Sequence, residues 1–515
     1  MPIDTVHDEY ADNQHKWMRM RDVLAGADAV KGRAEAYLPR LEAQGESEYL
    51  AYRDRTPFWN ATARTHEGLV GMLFRKDPTV KMAKGEGGAS KSMNNFWLDA
   101  DLKGNSLEAY SRNITEEVLA VGRGGTLVDW DAGLEQPFFI QYKAEDVLSW
   151  RTERVENGIK LTLVVLNEST TNPDHSRLTI GTTSDNIAKG GDPYTDKVTD
   201  RIRVLRLVPQ MDIPPEEGAP TVPMQYIAEI WEKATKEDAA GKTSTHWVLT
   251  DIEQPDRKGK FLEDIPFVFH GSDDGDASVD RPPLEDLAEL NIDHYKTTAD
   301  YKHGMHYTAL PTAWVAGFPE KTILKIGSST AWISPEPTAH AGFLEFTGKG
   351  LSEFSTYLEK SEIRMAVLGA RLLEQQKKSA EAAETLQIRQ GGEASVLQHV
   401  AGVISTTLTR AVKIAAWWSG TADSPEEIED DAVSIAINTD FVAVKLSSTD
   451  VVALTSAWIQ RGISRNTLHW NLQQGEILPP GRTPEQEEEL LGIEGALGRP
   501  GEDDSGPPVN PEDED

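Results

Sequence analysis

The sequence predicts an α+β chain. Apolar residues recur at helical spacing through the first 75 residues and again after Pro282, whereas residues 125–270 break into short runs rich in β-branched and aromatic residues. No window approaches the 18 or so consecutive apolar residues of a membrane span, and 38% hydrophobic with 26% charged residues is ordinary for a chain that buries real cores.

The elements follow in order. ADAVKGRAEAYLPRL reads as helix up to Pro39, and SEYLAYRDRTPFWNATARTHEGLVGMLF continues at helical intervals. Lys84–Ser92, KGEGGASKS, reads as a loop. Ser106–Val121 places Leu107, Tyr110, Ile114, Val118 and Val121 on one face of an amphipathic helix that GRGG stops. TLVDW, PFFIQYKAEDVLSWR, KLTLVVLNES, RIRVLRLV and MQYIAEIWEK are strand candidates, with a long loop at 184–196. Pro282-Pro283 opens a helix over Leu284–Tyr307, with Leu284, Leu287, Ala288, Tyr295 and Ala299 on one side. Residues 308–350 form a small strand-and-turn unit. A second long helix follows, its apolar face made of Phe354, Tyr357, Leu358, Met365, Leu368 and Leu372. Leu386–Trp418 is helical again, and Gly391-Gly392 predicts a kink, since each glycine costs about 1 kcal/mol there relative to alanine. Three short helices, around TDVVALTSAWIQRG, SRNTLHWNLQQG and TPEQEEELLG, close the folded part.

Composition excludes several function classes. The chain has 515 residues, room for about three domains of roughly 150. Its 52 Lys+Arg against 84 Asp+Glu give −32, which rules out an ordinary basic nucleic-acid-binding module. There is no cysteine, so disulfides, thiolate metal sites and cysteine nucleophiles are excluded and a reducing compartment is consistent. The polar N-terminus lacks the apolar core of a secretory signal, so aqueous surroundings without a membrane partner are expected. Residues 481–515 carry 12 acids and two bases, and 499–515 has the composition of a disordered acidic tail.

Motifs for chemistry are weak. GKTS at Gly241–Ser244 lacks the glycine of a phosphate loop six positions before Lys242, where Lys236 stands, so a polar turn is the better reading. GRGG at Gly122–Gly125 follows a helix and precedes a strand, the reverse of a dinucleotide fingerprint. Asp273–Asp276 with Asp280 is the one dense carboxylate turn, but its spacing is not that of a calcium loop and a solvated acidic loop is the plainer reading. His66-Glu67 has Val70 where a zinc-protease helix needs its second histidine. No metal, cofactor or catalytic residue is therefore assigned. One stretch stands out by charge: residues 364–413 hold seven bases and four acids inside a strongly acidic chain, which fits either a solvated helix face or a polyanion-facing segment.

Taken together, AYLPRLEAQGESEYLAYRDRTPFWNATARTHEGLVGMLFRKDP, VGRGGTLVDW, the helix–insertion–helix at 284–376 and the later DF…LSS…GISRNTL run resemble the bacteriophage portal proteins, in particular the branch carrying an uncharacterised-domain label. The resemblance covers most of residues 35–490. It implies a portal-type ring subunit, usually one of twelve, at one capsid vertex of the virion, assembled in the host bacterial cytoplasm. It further implies a helical and β-rich wing over 1–281, β-rich from about 125, and a stem pair at 282–307 and 351–372. A small α/β clip would occupy 308–350, a tunnel loop 373–384, a kinked wing helix with its return 385–438 and a helical crown 439–495, with 496–515 a disordered tail. The implied partners are further copies of the chain, the terminase large subunit, major capsid and scaffold proteins, a head-tail adaptor, and double-stranded DNA passing without sequence specificity. Arg371, Lys377 and Lys378 would face the DNA channel. Trp314 and Trp332 would contact motor or adaptors. The resemblance implies no catalysis, because DNA passage is driven by a separate ATPase. Two other classes are carried beside it: another head-tail adaptor, and a hydrolase whose carboxylates lie in the β-rich part.

Charge agrees with the portal reading. A helix of 24 residues spans about 36 Å and faces roughly 21 phosphates at one per 1.7 Å, so a wall that let DNA slide must not neutralise them. Twelve copies would carry −384, a surface that repels.

Overall fold

The computed structural model describes residues 2–42, 44–82, 88–155, 158–173, 196–210, 224–237, 243–309, 312–318, 332–344, 348, 350–369, 383–422, 424–430, 432–439, 446, 448–475, 477–478, 482 and 484–497. It is an α+β chain of two compact units, Met1–Thr439 and Asp440–Asp515.

The first unit opens with helices α1 (Asp8–Ala25), α2 (Ala27–Gly32), α3 (Glu46–Arg55) and α4 (Ala61–Leu73). α1 begins where the His7 side chain accepts from the Glu9 N–H, and it buries Trp17, Met20 and Val23 completely. Strand β1 (Thr79–Lys81) precedes α5 (Gly88–Leu98), so the loop read over 84–92 gives way to helix by Gly88. The glycines there hid a short apolar face in which Met93 and Phe96, three apart, are both buried.

α6 (Leu107–Val121) occupies the span read for it, capped at Ser106, whose hydroxyl accepts from Ala109 N, and ended by Gly122 at φ 79°. GRGG is only in part a helix stop, because β2 (Arg123–Asp131) already begins at Arg123. Gly125 makes room instead: a Cβ there would lie 2.3 Å from the Phe267 ring. β3 (Gln136–Lys143), β4 (Val147–Val155), β5 (Gly158–Asn167), β6 (Thr170–Pro173), β7 (Asp196–Thr199), β8 (Arg201–Pro209), β9 (Met224–Glu237), β10 (Thr243–Glu253), β11 (Asp256–Arg257), β12 (Lys260–Phe261) and β13 (Phe267–Gly271) follow. They form a five-stranded antiparallel sheet ordered β10-β9-β8-β5-β4, a three-stranded sheet ordered β13-β2-β3, and two small ribbons. Thr243 and Ser244 of the GKTS turn lie in β10, and Gly241 and Lys242 fall outside the described residues.

α7 (Glu285–Ala309), β14 (Thr312–Ala316), β15 (His340–Leu344) and α8 (Leu351–Leu368) come next, then α9 (Ala383–Ser419) and β16 (Ser434–Ala436), which pairs with β1. α9 crosses the three-stranded sheet and buries Val400, Ile404, Leu408, Ala411 and Ala415. Its helical span takes in Gly391-Gly392. The second unit holds α10 (Ser448–Ile459), α11 (Arg465–Gln474) and α12 (Pro484–Leu497), where three helices were read. The Arg465–Glu488 pair (2.7 Å) joins α11 to α12. No helix among the described residues is long and apolar enough to cross a membrane.

Candidate functional site

The segment from α7 to α8 is built as a rod with a root and a tip. At 1.5 Å per residue the 25 residues of α7 measure about 37 Å. Its predicted face, Leu284, Leu287, Ala288, Tyr295 and Ala299, is buried throughout. Polar anchors fix the same half. Arg19 of α1 pairs with Glu285 and Glu289, each at 2.9 Å. Asn291 is fully buried: its Oδ1 accepts from Ala61 N, Thr62 N and Thr62 Oγ1, and its Nδ2 donates to Trp59 O at 2.7 Å. One side chain of α7 thus accepts from the first two N–H groups of α4, of which Ala61 N is shared with Trp59 O. Tyr52 of α3 donates to Asp300 Oδ1 at 2.6 Å, and its phenol is pushed well above the ordinary range by burial and by that carboxylate. Burial pushes Tyr295 up to about 12. Beyond Asp300 the packing thins, and Lys302, Met305 and His306 are exposed.

The ribbon sits at this thin end. β14 and β15 pair antiparallel, with Trp314 opposite Gly342 and Ala313 opposite Phe343. The Trp314 indole lies over Gly342, where a Cβ would come within 2.9 Å of it, yet Trp314 is 46% exposed. Successive side chains alternate faces, so Phe343, also exposed, points to the other side of the ribbon. Trp332 is half-buried in irregular chain before β15. The described part of 308–350 is therefore a β ribbon; residues 319–331 lie outside the described residues.

α8 returns antiparallel along α7. A Cβ on Gly304 would meet Leu351 at 2.8 Å, Tyr357 donates to Asp293 Oδ2 at 2.7 Å, and His294 Nε2 lies 3.6 Å from Glu362. Burial pushes the His294 imidazole down, and Glu362 opposes that shift. Only Ser361 and Met365 of α8 are fully buried. Here the expected apolar face differs. Phe354 is 37%, Tyr357 39% and Leu368 49% exposed, and Ile363 (58%) and Val367 (51%), which were not assigned to it, are equally open. The signal for this was present in IRMAVL, which holds more apolar residues than one helical stripe can seat. The helix ends at Leu368, and Leu372, Arg371, Lys377 and Lys378 lie outside the described residues. Of the other bases counted in that stretch, Lys413 is paired with Asp430 at 2.5 Å while Arg364 and Arg410 are exposed.

Two carboxylate groupings are tied by hydrogen bonds and ion pairs within the fold: the Asp273–Asp280 turn that the sequence singled out, and one in the β-rich part that it did not. Asp280 Oδ2 accepts from Asp273 N and Asp274 N, Asp274 Oδ1 from Asp276 N, and Asp276 Oδ1 from Ser278, so the acidic turn ties itself together. Beneath it the buried Arg123 donates to Ala277 O and Ser278 O (both 2.9 Å) while stacking on Trp150 and Phe269; burial pulls its guanidinium down to about 10. Among the described residues no group of acids and histidines is arranged to hold a metal ion. In the β-rich part, Glu168 (2.8 Å), Glu253 (3.3 Å) and Asp129 (3.8 Å) converge on Arg203, and Tyr142 donates to Glu168. Burial raises Asp129 above the usual carboxylate range. The arginine at the centre offsets part of this negative charge and joins the two sheets.

A family model described as a domain of unknown function (DUF4055) matches residues 283–419, which take in α7, the ribbon, α8 and α9. No curated protein matches the chain. Among solved structures, a chain of the virion of a native gene transfer agent particle is similar over 90% of this chain and 98% of its own length, at 10% identity and a TM-score of 0.34. A chain from the neck of an empty gene transfer agent particle is similar over 89% and 97%, at 10% identity and a TM-score of 0.35. Likenesses at those scores carry no argument about what the chain does.

Proposed function

We propose that the chain is a portal-type subunit: several copies form a ring at one capsid vertex, and the ring is a channel for double-stranded DNA during packaging and ejection. The observation that carries this reading is the rod. Its root is clamped by α1, α3 and α4, its tip carries exposed aromatic residues on a ribbon, and its second helix keeps five apolar side chains in solvent. A helix apolar beyond one stripe belongs in a larger core, and further copies of the chain supply that core. In this reading α7 and α8 are the stem, the ribbon with Trp314 and Trp332 is the clip that meets a packaging motor and head-tail adaptors, and the second unit is the crown. Lys377 and Lys378, with Arg371, touch the duplex weakly inside an otherwise repulsive wall.

The subunit itself performs no bond-making chemistry in this reading; the ATPase that moves DNA is a separate protein. A net charge of −32 per copy supports passage over grip, since every neutralised phosphate would release counterions and add affinity. Native mass spectrometry and negative-stain imaging of the purified full chain test the proposal. The expected result is a closed ring with a pore wide enough for duplex DNA. A monomer at micromolar concentration overturns it.

A further inference from the structure

α8 carries opposite charges on opposite flanks. At 100° per residue, and with Ser361 and Met365 marking the side turned to α7, Lys360 and Arg364 fall on one flank and Glu359 and Glu362 on the other, about 150° away. All four are exposed, and among the described residues Lys360, Arg364 and Glu359 form no ion pair. Exposed apolar groups frame both: Tyr357, Leu368 and Val367 border the basic flank, and Ile363 borders the acidic one. An open groove of about 400 Å³ lies along the basic flank, lined by Thr297 of α7 with Glu353, Phe354, Thr356, Tyr357 and Lys360 of α8.

We propose that α8 is a head-to-tail contact between copies of this chain, the Lys360/Arg364 flank of one subunit packing on the Glu359/Glu362 flank of the next. A two-fold contact would set each flank against its own copy, base on base or acid on acid. A head-to-tail contact sets base on acid at every junction and repeats around a ring. With neighbouring α8 helices parallel and in register, Lys360 stands one residue from the neighbour's Glu359 and Arg364 two from its Glu362, axial offsets of about 1.5 and 3 Å. Exposed ion pairs contribute little affinity, so the apolar groups hold the contact and the charges fix its direction. Glu353 lies on the basic flank near the groove and works against the pattern at that end. The inference rests on the ring reading and adds which helix joins the subunits, and with which polarity.

The test uses the full chain, whose lack of cysteine makes introduced ones unambiguous. Lys360→Cys chains and Glu359→Cys chains, oxidised separately, are expected to give no covalent dimer, and co-expressed to give one. In a second experiment, K360E/R364E is expected to shift native mass spectra from ring to monomer by tenfold or more, and adding Glu359→Lys to recover much of the ring. A wild-type ring without the mixed cross-link, or one indifferent to K360E/R364E, overturns this contact and leaves the ring reading standing. A monomeric wild type overturns both.

Discussion

His270 shows how a residue that looks like a site is used to hold the fold. It is fully buried on β13, with Nε2 2.7 Å from Thr126 Oγ1 and Nδ1 2.8 Å from Thr407 Oγ1, and Tyr110 continues the chain 2.8 Å beyond Thr126. The four side chains join α6, β2, β13 and α9 through polar atoms that have no access to water. Burial lowers the imidazole to about 3, with the Arg410 charge acting in the same sense. The sign follows from linkage: the unfolded chain takes up a proton near the ordinary histidine value, the folded chain does not, so stability falls as pH drops from 6.5 towards 3. His270 alone is expected to lower unfolding free energy by about 2 kcal/mol between pH 8 and pH 5. Urea denaturation of wild type and His270→Asn across that range measures it. The variant is expected to show the shallower pH dependence, and parallel curves would mean that the imidazole titrates normally in place.

At the scale of elements, the joint between α4 and α7 decides whether the rod is rooted. Asn291→Ala removes the acceptor for three donors, two of them buried backbone N–H groups at the start of α4, and is expected to cost about 2–4 kcal/mol by denaturant midpoint. Asn291→Asp keeps the acceptor at a helix N-terminus and is expected to cost less. An alanine variant as stable as wild type would show that α4 and α7 are held by their apolar faces alone. The contrast with α6 explains what was legible. Ser106 and Gly122 announce both ends of that helix, and a single clean stripe fills its core side. Leu284–Ala299 was legible for the same reason. Asn291 was not, because a polar residue in a core stripe reads as a break until its partners, 230 positions away in sequence, are seen. Neither was α5, whose leading glycine-rich run masks two buried residues, nor the outer side of α8, whose partner by the present reading is another molecule.

For the whole molecule, charge and apolar contact oppose each other in the proposed assembly. Each copy brings −32, so every subunit that joins a ring works against the repulsion of those already there. The attraction in the proposed contacts comes mostly from apolar side chains, which salt does not weaken, while one or two exposed ion pairs per junction are small beside the net charge. Repulsion reaches about 30 Å at 0.01 M salt and about 8 Å at 0.15 M. Association is therefore expected to strengthen as sodium chloride rises from 0.01 to 0.5 M, with the ring fraction in sedimentation velocity increasing at constant protein concentration. Rings that instead fall apart over that range would place the ion pairs, rather than the apolar groups of α8, in charge of assembly. In the proposed channel the same rule runs in reverse: a net charge of −32 per copy disfavours grip most at low salt, where retention of a short duplex by the assembled ring is expected to be weakest.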